Sequence, residues 1–255
     1  MKVKKAIITS AGKATRMQPV SNVVPKALIP VFKTFENKKY SVPMIDLITE
    51  SLRDAGLSQF CFVVGERGRL LMDYLSDTNA TYVIQREPKG FADAVLKGED
   101  FANSDPFFLH SDDDLLTGGY KEFTQIFDDL KDVDCLFLLT KVEDSRPYGV
   151  AEVEPYKDML SHKVFRVKGV EEKPQNPKSD LIVGAIYILT PKIFNIIREL
   201  EGEMDNEVYV INAIQRLIER GGKVYGMLTN EDEKWMTVGS PEKYFGTLNY
   251  TYSNL

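Results

Sequence analysis

The N-terminal half of the chain alternates short apolar runs with amphipathic stretches. Apolar runs of about four to eight residues are typical of strands buried on both faces, and longer amphipathic stretches are typical of helices. The alternation predicts an α/β fold with a mixed, mostly parallel sheet flanked by helices. The predicted strands are Val3–Thr9, Gln59–Val64, Thr81–Ile84, Phe107–His110 and Asp134–Thr140. The predicted helices are Ile45–Ala55, Leu70–Leu75, Phe91–Phe101 and Tyr120–Leu130.

The pattern changes after Lys141. The strands predicted there, some of them antiparallel, are Gly149–Val153, Lys163–Val167, Leu181–Leu189 and Lys223–Leu228. Two further helices are predicted at Asn206–Arg220 and Pro241–Tyr252. The sequence has no internal repeat, low-complexity tract or Pro/Ser-rich linker, so we expect residues 1–255 to form a single domain with halves 1–141 and 142–255.

Composition excludes several classes of protein. A net charge of -6 argues against broad binding to nucleic acid, which needs a basic face. Cys61 and Cys135 lie inside apolar runs, which predicts two buried thiols and no disulfide framework. The apolar run after Lys5 stops at Thr9, short of the roughly 7–15 apolar residues of a secretory signal. No segment reaches the ~20 apolar residues of a membrane span, so we expect a cytoplasmic protein.

The loop after the first predicted strand combines small residues with cations. It runs from Ser10 to Arg16, and Pro25-Lys26 follows nine residues later. Ligands of open α/β sheets bind beyond the carboxyl ends of the strands, where small residues let backbone N–H groups approach phosphate oxygens. Arg16 and Lys26 would add positive charge. An ordinary turn with two solvated cations fits the loop equally well, and it matches neither a Walker A motif nor G-x-G-x-x-G.

Two acidic features come later in the chain. Asp112, Asp113 and Asp114 follow a predicted buried strand, where carboxylates suit Mg²⁺ bound to a triphosphate. A solvated acidic turn or helix cap is the alternative. The pair Glu172-Lys173 offers an acceptor for sugar hydroxyls and a cation for phosphate, although such a pair is more often an exposed charged turn.

The order and spacing of motifs narrow these alternatives. Two N-terminal motifs stand close together, Ala11-Gly12-x-x-Thr15-Arg16-Met17-x-Pro19 and Pro25-Lys26-x-x-x-Pro30-Val31. They resemble the N-terminal motif of the sugar-1-phosphate nucleotidyltransferases. Further similar stretches are Val63–Leu75, Tyr82–Leu96, Pro106–Leu116, Val170–Pro174, Val183–Phe194 and Trp235–Pro241. Within that family the chain is most similar to the bacterial-type UTP–glucose-1-phosphate uridylyltransferases.

The resemblance implies a Rossmann-like nucleotidyltransferase fold. It implies in-line attack of a sugar-phosphate oxygen on the α-phosphorus of a nucleoside triphosphate, with Mg²⁺ as cofactor and pyrophosphate as product. UTP and glucose 1-phosphate are the favoured substrates and dTTP is a further one, while a cytidylyl- or guanylyltransferase acting on another sugar stays open. The resemblance also makes a homo-oligomer plausible. The chain ends at Leu255, so we expect no left-handed β-helix extension and no acyltransferase activity.

For the nucleotide, the resemblance assigns residues of the half 1–141. Arg16 and Lys26 would hold the phosphates and stabilise the transition state. Asp113 would carry Mg²⁺ if the family motif is aligned from Pro106-Phe107 without gaps. Asp112 would carry it if the motif is aligned on the predicted strand. The residues implied for the base and ribose are Ala11 and Gly12, together with Gln85 and Gly90 at the edge of a pyrimidine.

For the sugar phosphate, the resemblance assigns residues of the half 142–255. Gly149 and Glu172 would contact the sugar, and Lys173 would contact its phosphate. A further sugar-binding glycine of the family falls on Gly184 in one frame and on Ala185 in the other.

Two positions and one insertion depart from the family pattern. Ala14 stands where the family loop usually has glycine, which predicts weakened nucleotide binding at most. Thr237 stands where the family has an aspartate that completes the Mg²⁺ site, and Asp232 or Glu233 would compensate only if their loop folds back. A catalytically weak or silent nucleotide-sugar-binding regulatory protein is therefore the alternative function. The insertion Lys33–Ser41 has no function that the sequence indicates.

Overall fold

A central nine-stranded sheet organises the molecule. The computed structural model describes residues 2–87, 89–203 and 207–255. The strands are β1 Lys5–Ser10, β2 Pro30–Phe35, β3 Lys38–Pro43, β4 Gln59–Val64, β5 Ala80–Ile84, β6 Phe107–Ser111, β7 Asp114–Leu116, β8 Cys135–Lys141, β9 Gly149–Met159, β10 His162–Glu172, β11 Leu181–Leu189, β12 Val224–Leu228 and β13 Trp235–Thr237. The sheet has the order β5-β4-β1-β6-β11-β8-β12-β10-β9, and two separate two-stranded sheets are formed by β2-β3 and by β13-β7.

Four strands from the N-terminal half, in the order β5, β4, β1 and β6, are parallel and lie side by side. In register, β1 pairs with β4 on one side and with β6 on the other. Ala6, Ile7 and Ile8 are fully buried, so both faces of β1 lie inside the protein. Burial on both faces explains why the strand is a continuous apolar run without alternation. Each isoleucine side chain removed from water stabilises the fold by about 1.5–3 kcal/mol.

Helices cover both faces of this sheet. They are α1 Met44–Asp54, α2 Arg69–Tyr74, α3 Phe91–Lys97, α4 Glu99–Ala102, α5 Lys121–Asp129, α6 Lys192–Glu203, α7 Val210–Glu219 and α8 Pro241–Asn254. Apolar residues of α1 and α5 pack with Ala6 and Ile8 on one face. Apolar residues of α3, α6 and α7 pack with Ile7 on the opposite face. The predicted α/β class, a mixed sheet flanked by helices, is therefore confirmed.

The C-terminal half extends the sheet with mostly antiparallel strands. Strand β11 lies antiparallel to both β6 and β8, and β12 is parallel to β8. The long β9–β10 hairpin closes the far edge of the sheet. Because β6 and β11 are neighbours, strands from both halves meet in the middle of one sheet.

Local structure differs from the sequence prediction at several elements. The predicted helix Phe91–Phe101 is divided into α3 and α4 at Gly98, where a Cβ atom would lie 2.6 Å from Ile7 Cδ1. The insertion Lys33–Ser41 lies in the β2–β3 hairpin, and this hairpin, β7, β13 and α6 were not predicted. The predicted helix start at Asn206 lies outside the described residues, and the described helix begins only at Val210.

Other sequence predictions can be compared directly with side-chain burial. Both cysteines are free and buried, as predicted. On α8, Tyr244 packs against the core, whereas Phe245 is 72% exposed and Tyr252 is 54% exposed. The helical spacing of Tyr244, Phe245, Leu248 and Tyr252 in the sequence predicts an apolar stripe that serves either core packing or a dimer contact. Core packing explains only part of this stripe, and self-association stays a prediction. No helix within the described ranges has the length and apolar character needed to cross a membrane.

A buried histidine joins three distant segments near the tip of the β9–β10 hairpin. The ring of His162 contacts Glu122 on α5 through Nδ1 at 3.0 Å and Glu233 in the loop before β13 through Nε2 at 2.9 Å. Burial alone would lower the pKa of His162, but its hydrogen bonds and charge interactions with Glu233 and Glu122 outweigh burial and raise the pKa above the ordinary 6.5. An imidazolium between two carboxylates therefore anchors the segment that leads into β13.

We expect this anchor to stabilise the fold in a pH-dependent way. Because the folded-state pKa of His162 is raised, its stabilisation is complete below about pH 6.5 and is lost as the pH rises through the folded-state value. His162→Gln should lower Tm by about 2–8 °C at pH 6, equivalent to about 1–2 kcal/mol, and by less at pH 9. Thermal unfolding followed by circular dichroism at both pH values measures this difference.

Thr124→Val is the matched control. Thr124 is buried on α5, where its hydroxyl donates to the carbonyl of Lys121 at 2.9 Å, and it does not titrate. Its loss of Tm should be the same at both pH values. An equal loss at pH 6 and pH 9 for His162→Gln would contradict the ionic role.

Candidate functional site

The loop that follows β1 turns sharply at Ala14. This residue has φ 50° and ψ 43°, in the left-handed region, and a 3-10 helix begins at Thr15. The hydroxyl of Ser21 donates to the carbonyl of Ala14 at 2.8 Å. A left-handed conformation costs an L-residue about 1–2 kcal/mol. The backbone at position 14 therefore favours glycine, in agreement with the family pattern, and Ala14 occupies it under strain.

An ion pair joins the segment after β1 to the end of β6. Lys26 Nζ lies 2.6 Å from Asp113 Oδ2, and the side chains are only 17% and 13% exposed. Burial would lower the pKa of Lys26, but the charges of Asp113, Asp112 and Asp114 outweigh burial and raise it above the usual value. Lys26 is thus a firmly charged cation in a largely dry position.

Asp112 and Asp113 have different surroundings. Asp112 is buried and accepts a hydrogen bond from Ser10 Oγ at 2.5 Å. Burial raises its pKa to about 6, against the opposing effect of the Lys26 charge. Asp112 therefore links the ends of β1 and β6, while Asp113 is the more exposed acid beside Lys26.

Several side chains converge at Gly239. A Cβ atom on Gly239 would lie 3.1 Å from Asp113 Oδ2, 3.2 Å from Thr237 Oγ1 and 3.5 Å from Arg16 Nη2. The structure thus brings Arg16, Lys26 and Asp113 together at the carboxyl ends of β1 and β6, beside a glycine that leaves room between them. The Arg16 side chain itself is exposed and free to meet a ligand.

Thr237 is a buried residue of β13 opposite Asp114 of β7. Its hydroxyl accepts from the backbone N–H of Gly239 at 3.2 Å, so it shapes the turn at which the site converges. Burial, together with the charge of Asp113, raises the pKa of Asp114 to about 7. Glu233 pairs with His162 and not with Thr237, and Asp232 is exposed. The loop before β13 therefore does not fold back to supply the aspartate that the resemblance implies at position 237.

The oxygen atoms near Gly239 can be compared with the ligands that Mg²⁺ requires. Within residues 2–87, 89–203 and 207–255, no group of three or more His, Cys, Asp or Glu side chains is arranged to hold a metal ion. Mg²⁺ is commonly bound by one or two carboxylates together with substrate phosphates and water, and not by an all-protein cage. Asp113 and the hydroxyl of Thr237 fit an ion that arrives with a nucleotide.

The residues assigned to the base lie beside the ends of β4 and β5. The backbone N–H of Gln85 donates to the carbonyl of Val64 at 2.8 Å, which places Gln85 just beyond β5. Its side-chain Nε2 donates to Gly90 O at 3.2 Å and to Asp93 Oδ2 at 2.5 Å. Ala11 lies close by, because a Cβ on Gly65 at the end of β4 would be 3.0 Å from the Ala11 carbonyl. Gln85, Gly90 and the loop at Ala11–Gly12 therefore share one edge of the sheet.

Gly149, Glu172 and Lys173 form a second cluster at the ends of β9 and β10. Gly149 pairs with Glu172, and a Cβ on Gly149 would lie 3.3 Å from Glu172 Oε2. The backbone of Lys173 has φ 47°. Its Nζ atom lies 3.0 Å from Glu172 Oε1 and 4.5 Å from the centre of the Tyr209 ring. A non-glycine residue in the left-handed region is strained, and such strain is common at functional positions. The structure brings these three assigned residues together.

Gly184 and Ala185, the two positions left open for the sugar-binding glycine, lie in an irregular stretch of β11. Its pairing with β8 shifts register between Val183 and Tyr187. Gly184 is buried, and a Cβ on it would lie 3.5 Å from Trp235 Nε1. Ala185 is half-buried, and its N–H donates to Asp114 Oδ2 at 3.3 Å. Asp114 therefore connects the irregular stretch of β11 to β7, next to Thr237.

Sequence reasoning missed a cation and its aromatic partners beside this region. Lys243, in the first turn of α8, hydrogen-bonds the hydroxyl of Tyr148. Its Nζ lies 4.4 Å from the centre of the Tyr148 ring and 5.7 Å from that of Trp235. Tyr148 precedes Gly149, and Trp235 is the sole tryptophan of the chain. The signal available in the sequence was this one tryptophan, two positions before Thr237.

Comparison with known proteins identifies relatives of the whole chain. Residues 5–253 match the family described as Nucleotidyl transferase. The glucose-1-phosphate thymidylyltransferase of Streptomyces antibioticus is 30% identical over 88% of this chain, and the chain spans 60% of the length of that protein. The UTP–glucose-1-phosphate uridylyltransferase of Pseudomonas aeruginosa is 27% identical over 99% of this chain and 97% of its own length.

A solved structure shows the same fold. The crystal structure of a UDP-glucose pyrophosphorylase complexed with UDP-glucose superposes with a TM-score of 0.85 at 26% identity, covering 99% of this chain and 100% of that one. The Rossmann-like nucleotidyltransferase fold implied by the N-terminal motifs is therefore confirmed.

Gly90 should be a position where even alanine is poorly tolerated. It has φ 112° and ψ -179°, a conformation that L side chains rarely adopt, and a Cβ would lie 2.4 Å from Glu207 Cγ. Gly90→Ala should destabilise the protein by about 1–3 kcal/mol, with a Tm lower by about 2–4 °C for each kcal/mol. Urea unfolding or calorimetry measures this loss.

Gly12→Ala is the matched control, because nothing lies within 4 Å of a Cβ at Gly12. Its unfolding free energy should stay within about 0.5 kcal/mol of the original protein. Equal stability of the two variants would contradict the backbone requirement at Gly90.

Proposed function

Because the chain belongs to the nucleotidyltransferase family, we propose that it joins a pyrimidine nucleoside triphosphate to glucose 1-phosphate and releases pyrophosphate. UTP is the favoured nucleotide and dTTP is the second. The names of the relatives support this substrate class, since they include a glucose-1-phosphate thymidylyltransferase and a UTP–glucose-1-phosphate uridylyltransferase. Both substrates are phosphorylated metabolites, which supports a cytoplasmic location.

The convergence of Arg16, Lys26 and Asp113 at Gly239 carries the proposal. A triphosphate bound there would meet two cations at the carboxyl ends of parallel strands, where ligands of such sheets bind. The low exposure of Lys26 and Asp113 strengthens their charge interactions relative to water. A protein of net charge -6 thus presents two cations, Arg16 and Lys26, at the place where a polyanion would bind.

The reaction needs little covalent chemistry from the protein. An oxygen of glucose 1-phosphate attacks the α-phosphorus, the bond from that phosphorus to the bridging oxygen breaks, and pyrophosphate leaves with the electron pair. Arg16 and Lys26 hold the phosphates and stabilise the negative charge that develops on the leaving group. Glu172 and Lys173 hold the sugar phosphate in line, so positioning supplies the rest of the rate increase.

The same site suits Mg²⁺ delivered with the nucleotide. Asp113 is the proposed carboxylate ligand, with the Thr237 hydroxyl beside it and Asp112 orienting the strand end through Ser10. When bound, the ion would neutralise phosphate charge. Asp114 lies opposite Thr237 across the β7–β13 pair. It places a carboxyl group next to the position at which the resemblance implies an aspartate.

We expect the purified protein to release pyrophosphate when it is given UTP or dTTP, glucose 1-phosphate and Mg²⁺. The measurement crosses five nucleoside triphosphates with several hexose 1-phosphates, with and without Mg²⁺. Lys26→Met should reduce kcat/KM by at least about 100-fold, because one of the two cations that face the phosphates is removed. Absence of pyrophosphate release from every pair of substrates would refute the proposed reaction.

Lys33→Met is the matched control. Lys33 also pairs with a carboxylate, Glu50, but on the β2–β3 hairpin outside the convergent site. Its kcat/KM should stay within about threefold of the original, since an exposed ion pair contributes little to stability. A similar loss in both variants would contradict the role given to Lys26.

A non-catalytic regulatory protein that binds a nucleotide sugar is the second candidate, favoured by Thr237 together with Ala14. Under that alternative, Thr237→Asp supplies the missing carboxylate and should create or greatly raise pyrophosphate release. Under the enzyme proposal, the original chain is already active. The new carboxylate then faces buried Asp114 across the strand pair, so Tm should fall because like charges oppose each other.

Pyrophosphate release by the original chain and by Thr237→Asp separates the two candidates, and Tm measured on the same preparation shows whether the variant is folded. A silent original chain together with an active variant would favour the regulatory protein.

A further inference from the structure

A buried side-chain pair next to the proposed base site has only one chemically allowed arrangement. Gln85 is 3% exposed and Asp93 is 4% exposed, and they meet at the start of α3. Gln85 Nε2 lies 2.5 Å from Asp93 Oδ2 and 3.2 Å from the carbonyl oxygen of Gly90. Both partners present oxygen atoms to the same end of the amide.

The chemistry of those partners fixes the orientation of the amide. A glutamine side chain has an NH₂ group that donates and an oxygen that accepts hydrogen bonds. Exchanging the two ends by rotation costs little free energy unless the neighbouring groups can pair with only one of the two orientations. A carbonyl and an ionised carboxylate accept hydrogen bonds but donate none. Reversal of Gln85 would place its Oε1 against two acceptors, so the NH₂ group must face Asp93 and Gly90.

Asp93 is itself held in place from the other side. Its Oδ1 lies 3.0 Å from Lys97 Nζ, one turn further along α3, so its two oxygens serve two different donors. Lys97 is 42% exposed, which makes its contribution weaker than that of the buried amide. The Asp93 carboxylate is therefore the main partner of the Gln85 amide, and Lys97 only supports the position of that carboxylate.

The free end of the amide is an acceptor. Among the residues that the structure describes, no donor reaches Gln85 Oε1, and the backbone N–H of Gly90 has no acceptor. The edge that is left open thus combines one fixed acceptor with one backbone donor. Uracil and thymine present an N3–H donor beside a carbonyl acceptor, whereas N3 of cytosine is an acceptor.

We propose that Asp93 is a specificity-determining residue that fixes Gln85 to accept from N3–H of uracil or thymine and so excludes cytosine. The proposal rests on the proposed function, since it takes Gln85 and Gly90 as the residues that meet the base. Cytosine would bring its N3 lone pair against Gln85 Oε1, and an unmatched buried polar group weakens binding strongly. Uracil and thymine share N3–H, so this contact does not separate UTP from dTTP.

The first test uses the unmodified chain with Mg²⁺. Equilibrium binding of UTP, CTP and 3-methyl-UTP is measured by calorimetry, because the N3-methyl group removes the donor and keeps the uracil ring. We expect CTP and 3-methyl-UTP to bind at least tenfold more weakly than UTP. Equal binding of UTP and CTP would overturn the proposal. Binding needs no turnover, so this result is independent of pyrophosphate release, whose absence refutes only the reaction.

The second test changes the carboxylate. Asp93→Asn keeps the shape and replaces the nearer of the two acceptors with an amide that can donate to Gln85 Oε1. Only the more distant Gly90 carbonyl then opposes reversal of Gln85, so the ratio of UTP to CTP affinity should fall at least tenfold. A purely structural role would weaken both nucleotides equally and leave the ratio unchanged, which would overturn the proposal. Lys97→Met is the matched control and should keep the ratio within threefold. Binding ratios can be measured even if Asp93→Asn lowers Tm.

Discussion

The ion pair between Lys26 and Asp113 is the contact on which the candidate site depends. It joins the segment after β1 to the end of β6, across 87 positions of sequence, in a place where both side chains are largely excluded from water. Separating such a pair would leave an uncompensated charge, which is costly in a partly buried position. The pair therefore ties the segment that follows β1 to the residues just beyond β6. Arg16 and Gly239 meet at that point.

The C-terminal half builds the other wall of the same site. Strand β13 pairs with β7, and this pairing brings Thr237 and Gly239 against the end of β6. Asp114 extends the connection to the irregular stretch of β11 through the N–H of Ala185. Hydrogen bonds through β7 thus connect the end of β6 with β13 and with the irregular stretch of β11.

Thr237 stands where the sequence resemblance implies an aspartate. Its hydroxyl supports the turn at Gly239, and Asp114 lies opposite it across the strand pair. At the proposed base site, Asp93 gives Gln85 a single orientation by accepting a hydrogen bond from its NH₂ group.

The sequence by itself determined the N-terminal strands of the central sheet, the loop Ser10–Arg16 and the family, because apolar runs and motif spacing are local properties of the chain. It could not predict the β2–β3 hairpin or the division of a helix at Gly98, which depends on the approach of Ile7. Only the tertiary structure decided that Asp113 pairs with Lys26 while Asp112 is tied to Ser10, and how Gln85 is turned. The direction of a side chain is set by the partners that packing brings to it, and these partners lie far away in sequence.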